Sequence, residues 1–93
     1  MQLECVFFGP FREAVGRKTV PYETDAATIG ELLLELEADY PSLAGELVAG
    51  DGAELAGDTV VTIDRRHVTQ LDGLETRLTD DIVVRLVPSV YGG

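Results

Sequence analysis

The two most apolar segments of this chain stand at its opposite ends, with one amphipathic helical pattern between them. Leu3-Glu4-Cys5-Val6-Phe7-Phe8 lies near the start and Ile82-Val83-Val84-Arg85-Leu86-Val87 near the finish. Both are rich in β-formers and free of turn residues. In the first, Leu3, Cys5 and Phe7 share one face and Glu4, Val6 and Phe8 the other. In the second, Ile82, Val84 and Leu86 oppose Val83, Arg85 and Val87. Strands this apolar belong at the centre of a sheet, lying side by side, and a single helix can cover only one of the sheet's faces.

The segments between them fill in the order. Gly9-Pro10 ends the first strand, because proline cannot donate to a ladder. Phe11 to Val15 has the length of a short helical turn, closed by Gly16. Thr19-Val20-Pro21-Tyr22-Glu23 reads as a second strand whose proline places it at an edge or an irregularity. The clearest helix starts at Thr28, which forms a capping box with Glu31. Ile29, Leu32, Leu33, Leu36 and then Tyr40 make its apolar stripe, against Glu31, Glu35, Glu37 and Asp39. Pro41 stops it. Ser42 to Val48 stays ambiguous, with a short second helix as one reading. Gly50-Asp51-Gly52 and Gly57-Asp58 are turns. Thr59 to Asp64 alternates around Val61 and Ile63, Asp64 to His67 is a tight connection, and Val68-Thr69-Gln70 reads as a short strand. Asp80-Asp81 then turns into the last strand. The expected fold is α+β with the β-grasp arrangement: a mixed four- to five-stranded sheet, one main helix on one face, and a flexible C-terminal diglycine tail. Residues 1–87 are the expected domain and 88–93 the tail.

Length agrees with one domain, since 93 residues build one core and not two. No run approaches the ~18 apolar residues of a membrane span. The opening MQLECVFFGP has no basic leader, so the expected location is cytoplasmic. One cysteine excludes an internal disulfide framework and a Cys-rich zinc site. The formal net charge of −10, with Lys18 as the only lysine, argues against direct nucleic-acid binding. Such acidity suits life in high salt, and it equally suits docking on a basic partner.

A search for catalytic residues leaves none to nominate. His67 is the only histidine, so no His pair can hold a metal, and at a hairpin tip it reads as an exposed turn residue. Cys5, at an inward strand position without a cation beside it, reads as a buried, inert thiol. The glycines follow no phosphate-loop spacing. The end of the chain is more specific: Val87-Pro88-Ser89-Val90-Tyr91-Gly92-Gly93. Two residues without side chains let a backbone thread a narrow channel and present a carboxylate to a reactive centre. From Pro88 to Gly93 the extended reach is about 20 Å. The outward strand positions Val6, Phe8, Arg85 and Val87 form a set that one helix leaves uncovered, unless the Ser42–Leu55 segment covers it. Exposed apolar residues that adjoin are commonly a partner site.

These features together resemble a known family, the ubiquitin-like sulfur carriers and small archaeal modifiers related to the molybdopterin synthase small subunit and the thiamine sulfur carrier. Val6 to Gly16 looks like its FFAxxRExxG segment, Thr28 to Leu33 with Tyr40-Pro41 like its helix, Val61 to Asp64 like its VxVN strand, and the tail like PPVSGG. Strong acidity with one lysine points toward haloarchaeal small modifiers. Asp64 stands where the family usually has Asn, Ser89 replaces a proline, and Tyr91 replaces a small residue, which restricts the channels the tail can enter. The resemblance implies a carrier that is not itself an enzyme and binds no cofactor. An E1-like activating enzyme uses ATP and magnesium to adenylate Gly93, and either a sulfur donor makes a thiocarboxylate or a target lysine makes an isopeptide bond. Gly92, Tyr91, Val90 and Pro88 would thread the partner's channel without a processing protease. Phe8, His67 and Val87 align with partner-contacting positions, and Arg85 shares their face. Lys18 is the candidate acceptor should chains form, and otherwise a solvated turn lysine. Implied partners are the activating enzyme, target lysines, a molybdopterin synthase large subunit or a tRNA-thiolation enzyme, met by a monomer. Two rival readings are a dedicated molybdopterin synthase small subunit and a non-covalent β-grasp interaction module.

Overall fold

The computed structural model describes residues 1–49, 54–57 and 59–88. Five strands form one mixed sheet: β1 (Gln2–Phe7), β2 (Thr19–Glu23), β3 (Val60–Ile63), β4 (Arg66–His67) and β5 (Val83–Val87). Their order is β2-β1-β5-β3-β4. The two terminal apolar segments are therefore neighbours near the middle, and they run parallel, with Cys5 opposite Val84 and Phe7 opposite Leu86. β2 is an edge strand, as Pro21 requires; it pairs antiparallel with β1 and sets Pro21 against Glu4.

Two helices accompany the sheet. The shorter, α1 (Gly9–Val15), begins earlier than its sequence suggests, because Pro10 sits in its first turn and Phe8 is its N-cap. A proline there loses nothing, since first-turn N–H groups have no intrahelical partner. Gly16 closes α1 in the left-handed region at φ 89°, and its N–H returns to the Arg12 carbonyl. The longer helix, α2 (Ile29–Asp39), starts at the expected capping box: the Thr28 hydroxyl accepts from the Glu31 N–H, and the Glu31 carboxylate accepts from the Ala27 N–H. Its buried stripe is Ile29, Leu32, Leu33 and Leu36. These pack with Leu3, Cys5, Phe7, Val61, Val84 and Leu86 in one core, and the Tyr40 ring meets Phe7 edge-on at 6.1 Å between centroids.

The segment after α2 is a 3-10 turn, Pro41–Leu43, rather than a helix. It leads to Leu47 and Val48, both buried in the same core, and Val48 bridges to Leu55. Glu37, which looks solvated in the helical pattern, anchors this segment: its Oε2 accepts from the N–H groups of Leu47 and Val48 at 3.0 and 2.9 Å. Residues 42–48 thus pack on the helix side, and among the described residues the opposite sheet face is left open.

One further expectation is corrected. Val68-Thr69-Gln70 is not a strand but a 3-10 turn. The hairpin ladder ends at His67, after two residues of β4, because Val68 turns into the core, where it is 1% exposed. The hairpin tip is Asp64-Arg65, both at positive φ, as a two-residue turn between twisted strands demands. Asp64 uses its carboxylate to accept from the Val83 N–H at 2.9 Å. Among the described residues, no helix is long and apolar enough to cross a membrane.

Candidate functional site: the open sheet face

The face away from α2 is built by strand parity. Register places Thr19 beside Val6, Val6 beside Arg85, Arg85 beside Thr62 and Thr62 beside His67, so a single row crosses all five strands. The next row toward the chain's exit pairs Val87 with Val60, and Phe8 follows directly on Phe7. Val6 is only 7% exposed yet lies outside the core cluster, as a residue flanked by its neighbours on an uncovered face should. Phe8, Val60, Thr62, His67, Arg85 and Val87 are all half-buried.

Polarity changes along this face. Toward the start of β1 it carries Glu4 and Glu23. Toward its end it carries Phe8, Val60 and Val87 with Arg85 and Lys18. The Lys18 Nζ stands 5.8 Å from the Phe8 ring centroid, a cation–π distance. The Phe8 N–H donates to the Leu86 carbonyl, so Phe8 and Lys18 sit at the strand end from which Pro88 leads into the tail. This apolar and basic end stands on a chain of net charge −10. The Thr62 hydroxyl, within the cross-sheet row, is buried without a hydrogen-bond partner among the described residues.

The sequence-derived docking set of Phe8, Arg85, Val87 and His67 is thus gathered on one face. His67 needs correction in its setting: it is a half-buried strand residue, not an exposed tip. Its Nδ1 accepts from the Thr69 N–H at 3.2 Å, which leaves the proton of a neutral ring on Nε2. Val60 and Thr62 were missed, although the alternation of β3 puts them on the same side. Pro88 is the last described residue before the tail. The expected tail residues Val90, Tyr91, Gly92 and Gly93 lie outside the described residues.

Cys5 is fully buried, and burial pushes its thiol up to about 12; it is no nucleophile at neutral pH. At the β2 edge, the Tyr22 hydroxyl donates to Asp39 at 2.5 Å. Burial, then that bond, raises its pKa. Among the described residues no three His, Cys, Asp or Glu side chains assemble into a metal-sized cluster.

Comparison with known proteins fits this architecture. The model of the ThiS family matches residues 5–93. The chain belongs to the ThiS family. Within it, the chain is 42% identical to small archaeal modifier protein 3 of Haloferax volcanii, over the full length of both chains. The solution structure of the Haloferax volcanii HVO 2177 protein superposes with a TM-score of 0.85 at 44% identity, covering all of this chain and 87% of that one. The small archaeal modifier protein 1 of Methanosarcina acetivorans gives 0.82 at 29% identity, covering 99% and 96%. The fold is the ubiquitin-like β-grasp, and this ThiS-family chain is a relative of the small archaeal modifiers and sulfur carriers.

Proposed function

We propose that this chain is a ubiquitin-like modifier that also carries sulfur, with Gly93 as its reactive residue. The observation that carries the reading is where β5 ends. A strand held at the sheet centre delivers Pro88, from which the tail starts, beside the apolar and basic patch of Phe8, Val60, Val87, Arg85 and Lys18. A partner that grips this patch has the tail within about 20 Å of reach.

The chemistry follows from the carboxylate. Its oxygen is a poor leaving group, so an E1-like enzyme with ATP and magnesium first makes the acyl-adenylate and releases pyrophosphate. A lysine amine of a target then expels AMP to form an isopeptide bond. Hydrosulfide-level sulfur expels AMP in the same way and leaves a thiocarboxylate. Phe8, Val87, Arg85 and His67 hold the partner; Pro88, Val90, Tyr91 and Gly92 enter its channel. Lys18, the only lysine, is the side-chain amine on which a second copy can be attached.

The test is a denaturing, reducing blot of N-terminally tagged protein from its native cells, beside a variant lacking Gly92 and Gly93. Larger species that survive reductant and vanish with the glycines are the expected result. A single band in both lanes, with no thiocarboxylate on Gly93 by mass spectrometry, overturns the reading. A Lys18→Arg variant should keep single-copy conjugates and lose the side-chain-linked multi-copy ones.

A further inference from the structure

The row that crosses the open face runs Thr19, Val6, Arg85, Thr62, His67, each residue paired with the next by register. It is rich in hydrogen-bond donors and contains no carboxylate. The Arg85 guanidinium offers donors and no acceptor. His67 uses its Nδ1 to accept from the Thr69 N–H, so a neutral ring presents Nε2–H as a donor. Between them the buried Thr62 hydroxyl has no partner among the described residues. At the other end of the row, Lys18 precedes Thr19 and is exposed. Its carbonyl accepts from the Phe7 N–H at 2.7 Å, which ties Lys18 to the end of β1, and its Nζ stands 5.8 Å from the Phe8 ring centroid. Glu4, on the same face as Val6, pairs with Val83 in the neighbouring row.

We propose that the protein surface docking on this row is apolar and acidic, with carboxylates that meet Arg85 and Lys18. The inference rests on the docking role proposed above and adds the chemistry of the partner. A cation drawn out of water beneath a partner costs free energy unless an anion meets it. A carboxylate meets Arg85 best, through two parallel N–H···O bonds. Val6 and Phe8 lie among these cations, so apolar atoms must surround the partner's carboxylates. The net charge of −10 taken alone selects a basic partner; at this row the local complement is the reverse. Basic side chains would face Arg85 and Lys18 as like charges and leave the row's donors without acceptors. Glu4 bounds the contact, because it repels a partner carboxylate from the start of β1 and leaves the seat toward Phe8.

The experiment is an NMR titration of the full-length, isotope-labelled chain with two small probes of similar shape, phenylbutyrate and phenylbutylammonium. Phenylbutyrate should give saturable shifts at the Arg85 side-chain N–H, the Lys18 amide and the Phe8 ring, and phenylbutylammonium none there. Arg85→Gln should weaken phenylbutyrate binding about two- to five-fold, and Glu4→Gln should strengthen it. Equal or larger shifts from the ammonium probe, or none from phenylbutyrate, overturn the proposal. In the cellular blot, Arg85→Glu and Lys18→Glu should each lower single-copy conjugates about ten-fold or more. Asp25→Arg, exposed in the β2–α2 connection, should not. Conjugates kept or raised in both Glu variants, or lost as deeply in Asp25→Arg, also overturn it. Should Arg85→Glu fail to fold, read from its Leu32 and Leu36 methyls, the exposed Lys18→Glu carries the comparison. A wild type with neither conjugates nor thiocarboxylate sinks the proposed function, while the probe titration still decides the contact.

Discussion

Phe7 and Phe8 are adjacent in sequence and face opposite sides of the same sheet. Phe7 is fully buried against Tyr40 and the α2 stripe. Phe8 is half-buried on the open face, with the Lys18 ammonium set over its ring. On the helix side, apolar area is removed from water by the fold itself. On the open side it is held at the surface by strand parity and stays available to a second molecule. The comparison separates a face whose apolar residues the fold itself buries from a face whose apolar residues stay at the surface, and the proposed function assigns recognition to the second.

The sharpest way to break this separation is the same truncation on both sides, and Phe7→Ala has the larger effect. It should cost about 3–5 kcal/mol, read as a fall in the denaturation midpoint at unchanged slope. A loss comparable to that of Phe8→Ala would abolish the distinction. Next comes Cys5, also on the helix side. Its folded pKa is raised from 9.0 to about 12, so the folded state keeps a proton that the unfolded chain gives up. Stability is full below pH 9 and falls by about 1.4 kcal/mol per pH unit above it. Tyr22, also raised, adds a loss of the same sign at higher pH. Denaturation curves of the wild type and Cys5→Ala between pH 8 and 11 should therefore converge as pH rises, and parallel curves would count against a sealed core at Cys5.

Two smaller effects belong to the open face. Thr62→Val removes a buried hydroxyl that has no partner among the described residues and should stabilise the chain by about 1 kcal/mol; a loss of stability would show that the hydroxyl is bonded. Phe8→Ala should change stability least, by under about 1 kcal/mol. Its conjugates in the cellular blot should nevertheless disappear. Retained conjugation would remove Phe8 from the docking surface.

Much of this was legible in the sequence. The alternation in 3–8 and 82–87 showed both faces of the sheet centre, and the Thr28–Glu31 pair marked the start of α2. What escaped depends on contacts that no periodicity reports. Glu37 sits on the polar face of a helical wheel, but its carboxylate serves two N–H groups ten and eleven residues later. Val68 has the composition of a strand, yet burying it in the core takes the backbone out of the ladder, which shortens β4. His67 reads as a tip residue because the connection, taken as Asp64 to His67, is two residues too long; the turn falls on Asp64-Arg65, where neither residue is the glycine that such a turn favours. Parity puts Val6, Phe8, Arg85 and Val87 on one face, and His67 joins that expected docking set only through the family resemblance, while Val60 and Thr62 required knowing which strand lies beside β5.

The parallel pairing of β1 with β5 also governs when the molecule comes into existence. The first strand to be synthesised waits for the last before its inner edge is satisfied, and contacts between such distant parts of a chain form slowly. A nascent chain that lacks β5 has no sheet centre and no Val87–Val60 row. The patch that a partner would recognise and the strand that leads into the tail are therefore completed in the same event, so a half-made chain offers neither.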